Sequence, residues 1–99
     1  MMTPLDITVS QTAGGAVVRI VGEIDLGARN QLRESLDPLT GLVVIDMSAV
    51  TFIDSVGIAV IAAQHERLTK SGGMLRLEAP TRAVRRALEM VGFDDLIID

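Results

Sequence analysis

An acid and a hydroxyl stand side by side at Asp54 and Ser55, inside the otherwise apolar stretch FIDSVGIAVI at 52–61. Several kinds of chemistry suit such a pair: phosphoryl capture on a carboxylate, attack by the serine, capping of a helix, and modification of a hydroxyl within a recognition surface. Phosphoryl capture would draw on Asp46 as well, since open α/β sheets hold ligands at strand ends. A Mg²⁺ site needs several converging hard oxygens, and a receiver-like arrangement wants an early acidic pair with a lysine at a later strand end. Glu23 and Asp25 lie after the second strand, but the only lysine, Lys70, closes a helix. No metal or cofactor is expected, and Asp46 reads as a strand end that hydrogen-bonds a turn.

Serine catalysis fares no better. DSVG lacks the G-x-S-x-G elbow, and a nucleophilic serine needs a base. His65 lies on the same helix about 15 Å beyond its start at 1.5 Å per residue, out of reach of Ser55. It reads as a surface or boundary residue. Asp54 or Ser55 can accept a hydrogen bond from the free amides of the first helical turn. Recognition or modification is the other reading. Gly57 costs helix stability relative to alanine, so a close backbone approach, bare surface for a partner or a packing need must favour it.

These residues need a frame. LDITVS at 5–10 alternates as a strand, QTAGG supplies a turn, and AVVRIV at 16–21 returns as a second strand ended by Gly22. Ala28, Leu32, Leu36 and Leu39 recur at helical spacing until Pro38 stops the helix. LVVID at 42–46 is β-branched and nearly continuous, as suits a central parallel strand, with SAVTF leading into the motif. A second helix runs from Val56 to about Lys70, with SGG at 71–73 for a left-handed stop. MLRLE at 74–78 is a strand; Pro80 and Thr81 begin a third helix with Val84, Leu88 and Val91 on one face, closed by Gly92. FDDLIID adds an edge strand or a packed tail. The order β-β-α-β-α-β-α predicts a small α/β domain over 1–99, with a mixed sheet and a leading hairpin.

The second helix is apolar nearly all round in its first two turns. Val56, Ala59, Val60 and Ala63 form one side, and Ile58, Ile61, Ala62 and His65 another; only one broad side can face the sheet. The remainder beside Ser55, rimmed by Gln64, Glu66 and Arg67, suits a docking surface unless helices one and three cover it. Arg82, Arg85 and Arg86 read as a solvated face, with Glu89 able to pair with Arg85 or Arg86.

Composition narrows the partner. The chain has 99 residues, 48% of them apolar, with no cysteine and one histidine. Disulfides and Cys/His metal sites are excluded. A net charge of -4 gives a nucleic-acid backbone little to bind. With no membrane span and no leader pattern in MMTPLDITV, a cytoplasmic protein is expected.

Together GEID at 22–25, LVVIDMSAVTFIDSVGIAVI at 42–61, SGGMLRL at 71–77 and VRRALEMVGFDDLI at 84–97 resemble a STAS domain of the bacterial anti-sigma factor antagonist family. The resemblance covers nearly the whole chain. It implies that Ser55 matches the serine phosphorylated by an anti-sigma factor with serine kinase activity. The unphosphorylated form would bind that anti-sigma factor and release the sigma factor; phosphorylation would prevent binding. Glu23 and Asp25 match an acidic loop that contributes to kinase recognition, and Asp54 matches the acid before the acceptor. Val56 departs from the Ser or Thr that many members carry there. The expected partner-binding set is Glu23, Asp25, Asp54, Ser55, Val56, Gly57, Ile58 and Ile61. A binding module rather than an enzyme is expected. The alternatives are a soluble STAS subunit of a lipid-transport ABC system and a small phosphotransfer or hydrolytic enzyme.

Overall fold

The computed structural model describes residues 5–99. Two strands, β1 (Asp6–Thr12) and β2 (Gly15–Ile24), pair antiparallel through a two-residue loop at 13–14. A 3-10 turn at Leu26–Ala28 leads into α1 (Arg29–Leu36). Next come β3 (Leu42–Ile53), α2 (Ser55–Lys70), β4 (Met74–Glu78) and α3 (Arg82–Met90). A second 3-10 turn, Asp94–Leu96, precedes the short edge strand β5 (Ile97–Ile98). The sheet runs β1-β2-β3-β4-β5, and every pairing after the hairpin is parallel. The expected element order and leading hairpin are therefore present, with the tail forming an edge strand.

Alternation on the strands explains the layering. Val18 and Ile20 on β2, Val43 and Ile45 on β3, and Leu75 and Leu77 on β4 are buried in one cluster with Leu32, Leu36, Ile61, Leu68, Val84 and Leu88 from the helices. Their neighbours Val17, Arg19, Leu42 and Met74 remain exposed, so the sheet has one covered and one open face. The connections β2-α1-β3 and β3-α2-β4 join parallel neighbours, which places α1 and α2 side by side and running the same way.

Strand β3 is longer than LVVID suggests. Buried positions fall at 43, 45 and 47 and then at 50 and 53. The break in alternation coincides with two register shifts against β2, between Arg19 and Val21 and between Gly22 and Glu23. At each, β3 carries one extra residue, a β-bulge that hides the strand period. Gly22 does not end β2 as expected; it lies between the bulges with φ 120°, backbone that favours glycine.

Asp46 is likewise not a strand end. Its carboxylate accepts from the Ser48 amide at 3.0 Å and hydroxyl at 2.7 Å, bracing the first bulge, while Arg19 stands 3.7 Å away. The amide bond above all, then the hydroxyl and the nearby guanidinium, hold this carboxyl below its usual value of 3.8 despite partial burial. A lowered folded-state value means that the stabilisation is complete above that usual value and lost as pH falls through the folded one. Asp46→Asn, which keeps an acceptor oxygen but removes the charge, should lower stability by about 1 kcal/mol at pH 7. The deficit should shrink towards zero in urea titrations below pH 3.8; a constant deficit would show that charge is not its cause.

The helix ends follow their sequence signals. After α2, Gly72 adopts φ 84°, its amide reaches Thr69 O, and the Gly73 amide reaches Leu68 O at 2.7 Å. After α3, Gly92, Phe93, Glu89 and Leu88 repeat the arrangement. Both are Schellman closures. Val91 does not share the buried face of Val84 and Leu88, because it follows the last helical residue and is exposed. Arg85 pairs with Asp99 rather than with Glu89.

Candidate functional site at the start of α2

The end of β2 and the end of β3 are tied together where the site begins. Ile24 pairs with Ile53, and the Asp54 amide donates to Ile24 O at 3.1 Å. Glu23 lies within β2 rather than after it as expected, because the strand continues past Gly22 to Ile24; it stands opposite Phe52, and Asp25 follows the last strand residue. The structure thus brings Glu23, Asp25, Asp54 and Ser55 to the same end of the parallel strands.

Asp54 decides the local chemistry. In extended backbone at the N-cap, it accepts the Gly57 amide on Oδ1 at 2.9 Å, and its own carbonyl accepts from Ile58 N at 3.0 Å. The cap is therefore the acid, and the serine is the first residue of the helix. Ser55 is exposed, and its hydroxyl makes no hydrogen bond among the described residues. An uncommitted hydroxyl at the first turn faces free amides and the positive end of the helix dipole.

The surface around Ser55 differs from the expected set. Ile61 is fully buried, and Gly57 is buried with it, so neither offers surface to a partner. Ile58 packs partly buried against the core. The helix turns its other side outward. Val56 and Ala59, with Val60 as floor and Ala63 beyond, line a groove of about 450 Å³ whose opposite wall is Arg29 and Arg33 of α1. Ser55 stands at one end of this groove; Asp37, Gln64 and Arg67 line the rest. Exposed Leu26 and Phe52 add apolar surface near the acidic loop. Sequence reasoning missed both, although Leu26 directly follows GEID and Phe52 precedes a buried Ile53 in the motif.

Gly57 has a packing reason. A Cβ there would lie 2.6 Å from Ile24 Cγ2 and 2.9 Å from both Ile24 O and Ile53 Cγ1. The helix start is pressed onto the ends of β2 and β3. Gly57→Ala should destabilise by about 1–2 kcal/mol, because overpacking outweighs the gain in helix propensity of somewhat under 1 kcal/mol. Chemical denaturation checks this; a stabilised variant would show that α2 can lift without loss.

Gln64 and Arg67 are not a loose polar rim. Gln64 is only 3% exposed and donates to Asp37 Oδ1 at 2.6 Å. Arg67 donates to Gln64 Oε1 at 2.9 Å, Leu39 O at 2.9 Å and Leu36 O at 3.0 Å. It thereby satisfies carbonyls at the end of α1 and fixes that helix beside α2. Further along, His65 meets Phe93 edge-on at 6.4 Å between centroids and is half-buried, a boundary residue remote from the serine.

Fold and site together define a small α/β recognition domain, with three helices on one sheet face and an exposed serine at the mouth of the parallel strands. A family model for the STAS domain matches residues 6–99, and the chain belongs to that family. It is 31% identical over 96 residues to the anti-sigma-B factor antagonist of Bacillus subtilis, covering 94% of this chain and 88% of that one. It is 34% identical over 94 residues to the anti-sigma-F factor antagonist RsfB of Mycobacterium tuberculosis, covering 91% and 76% respectively. Among solved structures, the Bacillus anti-sigma factor antagonist SpoIIAA in its unphosphorylated form superposes with a TM-score of 0.84 at 21% identity, over 95% of this chain and 87% of that one. That likeness concerns the fold. SpoIIAA has also been solved in a phosphorylated form.

Proposed function

We propose that this protein is an anti-sigma factor antagonist whose binding is switched at Ser55. Unphosphorylated, it binds a cytoplasmic anti-sigma factor with serine kinase activity and thereby frees the sigma factor. Phosphorylated, it no longer binds. The observation that carries this reading is the free, exposed Ser55 hydroxyl beside a cap supplied by Asp54. The names of the two relatives above support it.

The chain acts as substrate and ligand rather than as catalyst. Ser55 Oγ attacks the γ-phosphorus of kinase-bound ATP, ADP leaves, and the hydroxyl proton passes to a base of the kinase. Glu23 and Asp25 present acids to basic groups of the kinase beside the acceptor, and the Val56–Ala59 end of the groove takes an apolar side chain. Val56 removes a hydroxyl that many relatives carry but leaves the acceptor in place.

Incubation with candidate anti-sigma kinases and ATP, followed by mass spectrometry, tests the assignment. Ser55→Ala should take no phosphate while retaining partner affinity to within a few-fold. Undiminished labelling of the alanine form would move the acceptor elsewhere.

A further inference from the structure

We propose that Arg29 and Arg33 form a receiving site for a phosphate on Ser55, a two-arginine clamp that draws the modified side chain across the mouth of the α1/α2 groove. The proposal rests on the reading of Ser55 as acceptor. Both arginines line the groove that Ser55 opens, and both are exposed. Neither has a hydrogen bond or ion pair from its side chain among the described residues, whereas Arg67 in the same groove uses its guanidinium on three acceptors.

Helix register places them. Gln64 reaches Asp37 across 27 residues of chain, and Arg67 reaches Leu39 across 28 and Leu36 across 31. Because α1 and α2 run the same way, those offsets carried back set Arg29 within the span from Val56 to Val60 and Arg33 one turn further along. Arg29 is thus the nearer of the two to the serine, and both line the groove that it opens. Neighbouring helices stand about 8–10 Å apart, a gap that an arginine and a phosphoserine extended towards each other can close.

Helix physics does not explain Arg29: it is the first residue of α1, where the macrodipole disfavours a cation, and it faces a like charge four residues on at Arg33, which the dipole favours in the last turn. Local rules broken without local gain mark a functional demand. A phosphate carrying about -1.5 to -2 charges supplies it, since guanidinium groups bind phosphate oxygens in paired, charge-assisted hydrogen bonds. Bridged this way, the phosphate covers Val56 and Ala59 and occupies both arginines. A partner then loses the apolar end of the groove and its cationic wall together.

The test needs no kinase. Phosphoserine is installed at position 55 of the full chain by genetic encoding, and its second ionisation is followed by ³¹P NMR. The charged groups around it are Asp54, Glu23 and Asp25 from the strand ends, Arg29 and Arg33 from α1, and Asp37 and Arg67 further along the groove. The acids favour the monoanion and the arginines the dianion, so removing the arginines must raise the phosphate pKa. The double variant Arg29→Gln, Arg33→Gln should raise it by on the order of 1 unit. The same change at Arg82 and Arg86 on α3, a control for net charge, should leave it within a small fraction of that. Equal pKa values in the parent and the α1 variant, or equal shifts from both pairs, would overturn the clamp. Unfolding curves of the unphosphorylated variants verify the fold, and each single variant gives the same comparison should the double one unfold. Mass spectrometry after kinase treatment of the unmodified chain reports separately whether Ser55 is the acceptor, so the two readings fail independently.

Discussion

Arg67→Ala should lower the unfolding free energy by about 3 kcal/mol, the largest loss expected from one substitution outside the apolar core. The guanidinium holds Gln64 Oε1, Leu39 O and Leu36 O, and hydrogen bonds from charged donors contribute about 1.5–3 kcal/mol each before any rearrangement. Removing the donor leaves three acceptors to find other partners, one of them on a side chain almost wholly buried. Water entering the groove recovers part of the loss, which brings a larger sum down to about 3 kcal/mol. Urea denaturation should show a lower midpoint at an unchanged slope. Arg67→Lys should recover little, since an ammonium cannot span the same three acceptors. A loss below about 1 kcal/mol would mean that apolar packing alone secures α1.

Phosphorylation of Ser55 should weaken partner binding by about 100-fold or more while changing fold stability by no more than about 1 kcal/mol. A charge left imperfectly paired in an interface costs about 2–5 kcal/mol, and 2.7 kcal/mol is already a factor of about 100. In the free protein the same phosphate stands at the exposed first turn of α2, where amides, dipole and the proposed Arg29–Arg33 clamp favour it and the Asp54 carboxylate opposes it. Calorimetric titration and denaturation of homogeneous phosphoserine protein separate the two effects. Destabilisation by several kcal/mol with undiminished affinity in the folded fraction would place the switch in the fold instead.

Much of this architecture is written in local patterns. Alternation in MLRLE, the 28-32-36-39 spacing and the glycines after α2 and α3 each act through neighbours in sequence, and each corresponds to an observed element. Strand β3 beyond Asp46 was not legible, because its two bulges exist only against β2 and erase the period of two. The site divides similarly. The motif locates Asp54 and Ser55, but which residue caps depends on backbone geometry at the handover. Which side of an apolar helix meets the sheet depends on the whole fold, and that buried Ile61 while leaving Ala59 and Ala63 in the open. Arg67 illustrates the limit best: a rim charge in sequence, it binds the end of a helix some thirty residues away.

Because Asp54 supplies the cap and Ser55 only the hydroxyl, two demands that selection must satisfy fall on separate codons. In a scan of every substitution, cellular abundance should tolerate at position 54 chiefly the short acceptors Asp, Asn, Ser and Thr, the residues able to receive the Gly57 amide. Position 55 should accept a far wider range for abundance and very few residues for signalling. On the proposed assignment of Ser55, a lineage could silence or restore the switch by a single mutation at 55 without passing through an unstable protein. Regulation assigned in this way can evolve faster than the fold that carries it.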